Sequence, residues 1–346
     1  MPQAYMDPPV VQDQDATTAW DGPAFVARWG MAQADLQTLL GALWPRRAGL
    51  PEAQGIRVAV DAHNAITALC NWQEDRAGAP ALVLVHGLEG HAQTPAMQGL
   101  ARRALDAGMH AVRMNMRNCG GTDALSTSLY HSGLSGDVDV LVRALLQDCG
   151  VKRVGVVGYS MGGNMVLKLA GEWGARPPAG VMGVAAVCPA VDLGLCADLL
   201  HLPRNRAYEM YFLAGLVRRY WRKQQQHPEV YGTQLPPWPE SLRQWDDRVT
   251  APHSGFSGVD DYYARASARP VVDNITVPTL VLHAQDDPFV QLSGTTRAAL
   301  ETQRHITLVE PPHGGHCGFL GDGAGGAAMW AESTAVAFLQ RLAVAS

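Results

Sequence analysis

From residue 56 onward the chain alternates short apolar runs with segments whose apolar residues recur every three or four positions. Residues 56–60, 65–72, 81–85, 111–116, 154–157, 181–187, 279–283 and 305–309 are rich in β-branched and aliphatic side chains and read as strands. Residues 96–107, 136–148, 164–173 and 295–302 carry a helical period between the later runs, and 327–344 reads as a closing helix. Hairpin-like strands followed by alternating strand and helix predict an α/β fold, a mainly parallel sheet with helices on both faces. Residues 1–50 are harder to read, beyond a helix over 31–43, and form an N-terminal segment of open packing.

One block breaks the rhythm. Residues 193–263 show no strand pattern, which divides the fold into a core of 51–192 and 264–346 with a helical lid between. Tyr208, Phe212, Leu216 and Tyr220 recur every fourth position, with Arg218, Arg219, Arg222 and Lys223 at other positions of the same helix. The simpler reading is that this stripe packs the helix on the core. The alternative is a cover over a site at the carboxyl edge of the sheet. The basic side leaves room for peripheral contact with a membrane surface.

Bulk composition narrows the classes. Apolar residues make up 47% of the 346 positions, enough for a full core, while charged residues are 17% and the net charge is −5. No long basic block is present, so a nucleic-acid partner is not expected. The six cysteines are scattered without a C-x-x-C pair, which fits reduced thiols in a cytoplasmic protein. The start MPQAYMDPPVVQDQD has neither a basic nor an apolar signal region, and the apolar stretch 179–195 is broken by glycines, Pro189 and Asp192. No transmembrane segment is expected. Oligomeric state is not legible.

The candidate chemistry begins at Gly158-Tyr159-Ser160-Met161-Gly162, a G-x-S-x-G between the run 154–157 and the helix that follows. Chance supplies that pattern in roughly 0.1 of chains this long, so its context decides. Between a strand and a helix it is the nucleophile elbow, which presents a serine on a strained turn. A serine hydroxyl needs a base, and the base a carboxylate, from loops after later strands in the order Ser, Asp/Glu, His. TLVLHAQDDPFV and HITLVEPPHGGHCGF are strands running into two aspartates and two histidines. Asp287 is preferred over Asp286 because Pro288 fixes the backbone just after it. His316 is preferred over His313 because Gly314 and Gly315 let the chain turn back toward the elbow. The oxyanion donors are expected to be the backbone N–H groups of Met161 and Leu88, the latter in the loop that ends ALVLVHGLEGH. His86 precedes the elbow and is read as holding that loop's shape. No H-e-x-x-h-type ligand spacing links His86, His91, His313 and His316, so neither a metal nor a cofactor is expected.

The segments HGLEG, MRNCGGTD, YHSG, GYSMGGNM, DDYYARAS before a Val-Pro strand, AQDDPF and GGHCGF occur in this order. Together they resemble the YheT-type subfamily of α/β-hydrolases, the fourth AB-hydrolase family, which includes bacterial esterases, plant embryogenesis-associated proteins and mammalian ABHD lipases. The resemblance covers residues 55–340 or so. It implies the α/β-hydrolase fold, a triad at Ser160, Asp287 and His316, an oxyanion loop over 86–90, and hydrolysis of carboxylic esters, often acyl or acylglycerol substrates, without a cofactor. Two departures stand out: Asn118 replaces the family's glycine in MRNCGG, and DAHNA (61–65) replaces a D-G turn. The leading expectation is therefore a serine esterase acting on a small-molecule ester with a hydrophobic acyl group. Acyl transfer by the same triad and a catalytically vestigial ligand sensor are the alternatives.

Overall fold

The computed structural model describes residues 22–46, 49–323 and 326–345. A first helix, α1 (Ala34–Leu43), precedes β1 (Gln54–Ala59), β2 (Ala65–Asn71) and β3 (Ala81–Val85). Strand and helix then alternate: α2 (Pro95–Asp106), β4 (His110–Asn115), α3 (Ser135–Gln147), β5 (Val154–Tyr159), α4 (Met161–Trp173) and β6 (Val181–Val187). A helical insertion follows, with α5 (Leu193–Leu200), the long α6 (Arg206–Gln226), short α7 (Pro228–Tyr231), α8 (Leu242–Trp245) and α9 (Ala251–His253), and α10 (Val259–Ala266). The chain closes with β7 (Thr279–Leu282), α11 (Gly294–Thr302), β8 (Ile306–Val309), the strands β9 (Leu320–Gly323) and β10 (Gly326–Met329), and α12 (Trp330–Ala345).

Eight strands form one sheet in the order β1-β2-β4-β3-β5-β6-β7-β8. The β1–β2 and β2–β4 pairs are antiparallel, and every pair from β4 to β8 is parallel. Alternation within each strand decides which core a side chain enters. Ala81, Val83 and Val85 join Val154 and Val156 in a cluster with α3 and α4 residues such as Leu141, Val166 and Leu169. Leu82 and Leu84 face the other way with Val157, under α2 and α12 through Leu100, Phe338 and Leu339. Both faces are covered, which is why the strands read as continuous apolar runs rather than alternating ones. The order reverses around β3, with β4 on one side and β5 on the other, and open α/β sheets keep their clefts at such a reversal.

The elements expected from the pattern are present, with two differences. The closing helix starts at Trp330 rather than Ala327, because residues 326–329 pair with 320–323 as a small antiparallel ladder. That hairpin is glycine- and alanine-rich and carries no β-branched residue in either strand, so no strand signal marks it. The replacement turn DAHNA is closed by its own side chains: Asp61 accepts from the His63 amide (2.8 Å) and from Asn64 Nδ2 (2.9 Å). Asn118 sits at φ 62, the left-handed region that glycine fills most easily, and its side-chain amide donates to the Ser128 carbonyl (2.7 Å).

Residues 22–46 have a definite place. Gln37 in α1 is fully buried and bonds both backbone groups of Leu320, donating at 3.0 Å and accepting at 2.7 Å. Ala27 bridges Gly321, and the Trp330 indole donates to the Pro23 carbonyl (2.8 Å). The early segment is thereby stitched to the stretch 316–330. Residues 1–21 and 47–48 lie outside the described part of the chain.

Candidate active site

Ser160 follows β5 directly and has φ 55 and ψ −118, a strained backbone for a residue with a Cβ. The strain persists because its neighbours allow no other path. A Cβ on Gly162 would lie 2.4 Å from the His86 carbonyl oxygen and 2.5 Å from that of Val85, so α4 packs against the end of β3 only with glycine there. Ser160 N–H donates to Val187 (2.8 Å), and its carbonyl accepts from Asn164 (3.0 Å), which anchors the turn at both ends.

The loop after β8 brings His316 to this serine. His316 Nε2 lies 2.9 Å from Ser160 Oγ, and Nδ1 lies 2.7 Å from Asp287 Oδ2. With the carboxylate accepting, Nδ1 carries the proton and Nε2 is left to receive the hydroxyl's. The Asp287 side chain is fully buried, and its other oxygen accepts the amides of Phe289 (3.1 Å) and Val290 (2.8 Å). Burial alone would raise this carboxyl. The facing His316, nearby His283 and the Val290 amide outweigh it and hold the group below the usual aspartate range. Of the two aspartate–histidine choices, Asp287 and His316 are the pair that reaches the serine.

Asp286 and His313 stand beside them in another arrangement. Asp286 accepts the Gly315 amide (2.8 Å) and lies 3.4 Å from His313 Nδ1. It thus pins the loop that carries His316. From the other side, Thr38 Oγ1 accepts the His316 amide (2.8 Å). Gly315 has φ +55, and a Cβ there would sit 2.3 Å from the Ala34 carbonyl oxygen, so α1 presses on the loop at a point only glycine permits.

The loop after β3 completes the surroundings. His86 is buried; its Nδ1 donates to the Gly87 carbonyl (2.8 Å) and its Nε2 accepts the Met116 amide (3.3 Å). Burial pushes its pKa down to about 4, so it is a neutral strut, as its place in the chain predicts. Leu88 and Met161 both border the cavity into which Ser160 opens. Glu89, at φ 59, takes Arg219 of α6 at 2.9 and 3.2 Å and the Tyr130 hydroxyl at 2.7 Å. Both charged side chains are only 12% exposed, and Arg219 also donates to the Asn118 carbonyl. Lys223, one turn further on, is buried against the carbonyls of Asp123 and Ser126. Burial lowers its pKa to about 8.

The cavity, about 90 Å³, lies between the elbow and the insertion. Its wall is largely apolar, with Leu193, Leu200, Phe212, Leu216, Leu242 and Phe289. The aromatic stripe of α6 therefore has two jobs. Phe212 and Leu216 face the cavity, while Tyr208 packs on Phe289 (5.0 Å) and Tyr220 on Trp245 (5.7 Å). A polar patch also borders the cavity: Asp246, in a π-turn over Asp246–Thr250, accepts from Tyr263 (2.8 Å) and Thr250 (2.7 Å). Burial raises its pKa to about 6.

An α/β hydrolase fold profile matches residues 80–322. "Putative esterase YheT" of Escherichia coli is 32% identical over 336 residues, covering 92% of this chain and 94% of that protein. The chain belongs to the YheT-like α/β-hydrolases. "Phospholipase ABHD3" of Homo sapiens is 24% identical across 78% of this chain, which spans 65% of that relative's length. The crystal structure of a 2,6-dihydroxy-pseudo-oxynicotine hydrolase superposes with a TM-score of 0.58 at 18% identity, over 90% of this chain and 72% of that one, a likeness of fold.

Several motif residues of this hydrolase act away from the serine. Asn164, one turn along α4, donates to Ser132 Oγ (2.9 Å) and the Ala266 carbonyl (2.8 Å), and accepts the Ala268 amide (2.7 Å). It gathers YHSG and the end of DDYYARAS around the elbow helix. Gln37, Thr38, Asp286, Glu89, Asn164 and Arg219 were not legible as site supports. The Asn in GYSMGGNM, the Glu in HGLEG and the first Asp in AQDDPF sit in segments that the sequence marks.

Proposed function

We propose that this hydrolase cleaves carboxylic esters through an acyl-enzyme, with Ser160 as nucleophile, His316 as general base and acid, and Asp287 as the carboxylate that orients the imidazole. The observation that carries the reading is the unbroken line Asp287–His316–Ser160, at 2.7 and 2.9 Å, opening into an apolar cavity. Relatives named as an esterase and a phospholipase support the same class. Ser160 Oγ attacks the ester carbonyl as its proton passes to His316 Nε2, and the imidazolium is stabilised by Asp287. The amides of Leu88 and Met161 take the oxyanion. The protonated His316 releases the alcohol, then activates water to free the acid. The insertion serves as a lid whose Phe212 and Leu216 receive the acyl or alcohol chain, so the substrate is a hydrophobic acyl or acylglycerol-like ester.

A panel of p-nitrophenyl esters from acetate to palmitate, with a monoacylglycerol, tests this reading. Wild type is expected to turn over part of the panel and to label with a fluorophosphonate probe, and Ser160→Ala to do neither, losing about 10⁴-fold or more in kcat. A folded Ser160→Ala protein that keeps most of the activity would overturn the assignment.

A further inference from the structure

Two thiols stand beside His316, and the ester reaction uses neither. Cys188 follows the last residue of β6, and Cys317 follows His316; both hold positive φ, 43 and 59. The Cys317 amide donates to Cys188 Sγ (3.3 Å), Cys188 Sγ faces the Gly315 carbonyl (3.7 Å), and Cys317 Sγ faces that of Val187 (3.6 Å). Cys317 Sγ is also 3.8 Å from His316 Nε2. Cys188 Sγ, Cys317 Sγ and one ring nitrogen of His316 all lie within 4.8 Å of one another, and Nε2 is the nitrogen that faces Cys317.

We propose that these three atoms form a site for a soft divalent cation, Zn²⁺ or Cd²⁺, whose binding switches the active centre off. A tetrahedral zinc with sulfur at ~2.3 Å and nitrogen at ~2.0 Å sets its S···S edge near ~3.8 Å and its S···N edge near ~3.5 Å. The observed 3.8 Å for S···N is already close, and the remaining edges close with side-chain shifts of about 1 Å. Charge balances as well: the two thiols give up their protons to solvent, and two thiolates neutralise the ion in a buried place. Behind the imidazole, Asp287 accepts from Nδ1 at 2.7 Å, the carboxylate–histidine–metal arrangement that orients such ligands. The fourth position falls to Ser160 Oγ or water. The Nε2 lone pair that would bind the ion is the one that receives the serine's proton, so occupancy and base catalysis exclude each other. Binding itself stands on the three ligands; only the loss of activity rests on the proposed hydrolase reading.

The experiment is a Cd²⁺ titration of the reduced, chelator-treated full chain, followed by the thiolate-to-metal ultraviolet band. One ion per chain and two released protons are expected, with the band lost in Cys188→Ala and in Cys317→Ser. In parallel, Zn²⁺ should inhibit ester turnover reversibly on chelation, and Cys317→Ser should need about 100-fold more zinc for half-inhibition. Ester turnover by Cys317→Ser and unchanged circular dichroism of Cys188→Ala report that each variant is folded. An active esterase with no one-to-one band, or a band that survives both substitutions, overturns the site. A band without any ester turnover overturns the hydrolase reading and leaves the site standing.

Discussion

The two sides of the cavity are held in place by different physics. On the sheet side, the elbow, the Asp287 loop and the His316 loop rest on apolar strands, backbone hydrogen bonds and the pins at Asp286 and Thr38, with strain absorbed at Ser160. On the insertion side, apolar contacts form small clusters, such as Leu213, Tyr220 and Trp245 or Tyr208 and Phe212 on Phe289, and buried polar ties add to the docking. Arg219 on Glu89 and Lys223 on two carbonyls cross from the insertion to the core, while Asp246 under Tyr263 ties the insertion to itself. Nonpolar burial tolerates pH and salt, whereas a buried charge is held only while its partner is present. The proposed triad thus sits on the side with more apolar support, and the insertion on the side with more charged ties.

The largest expected effect probes the sheet side alone. Asp287→Asn keeps the shape but favours the wrong imidazole tautomer, and kcat should fall about 10⁴-fold with the melting temperature little changed. Equal loss of kcat and stability would show that Asp287 serves mainly as structure. On the insertion side, Arg219→Met leaves Glu89 buried without a cation and should cost about 3–5 kcal/mol in chemical denaturation. Adding Glu89→Gln should restore much of that, since the stranded charge goes with it; no recovery would mean that packing of the arginine stem dominates.

His86 is a pH-sensitive point on the sheet side. Its folded pKa, about 4, lies below the usual 6.5, so an unfolding chain takes up the proton first. Its contribution to stability, about 3 kcal/mol, is intact above pH 6.5 and is lost as pH falls toward 4. Melting curves across that window should steepen for wild type and flatten for His86→Asn. The smallest effect is expected at Thr38→Val, which removes an acceptor for the His316 amide. It should lower kcat about 10-fold, worth about 1.4 kcal/mol, with KM held. A change in KM alone would place Thr38 in substrate binding instead.

Ser160, Asp287 and His316 were legible because the chemistry constrains local sequence: an elbow needs small residues at fixed offsets, and each partner follows a strand end. The sheet was legible because burial on both faces leaves unbroken apolar runs, as in Ala81–Val85. The supports were not. Thr38 meets His316 across 278 positions and Arg219 meets Glu89 across 130, and no periodicity encodes such pairings. The β9–β10 hairpin escaped notice because its ladder is built from small residues, whose pattern resembles a loop. The helical insertion gave its class but not its docking, since a stripe of aromatics looks alike whether it meets a core or a cavity.

The clasp between α1 and the His316 loop also sets a timetable. Thr38 leaves the ribosome long before its partner, and at a synthesis rate of ~5–20 residues per second the gap is roughly a quarter of a minute to a minute. Over the last 156 of those positions the elbow is already made, but its proposed base has not yet been translated. On the proposed reading a nascent chain therefore carries a mute serine, and competence arrives only when the His316 loop meets α1.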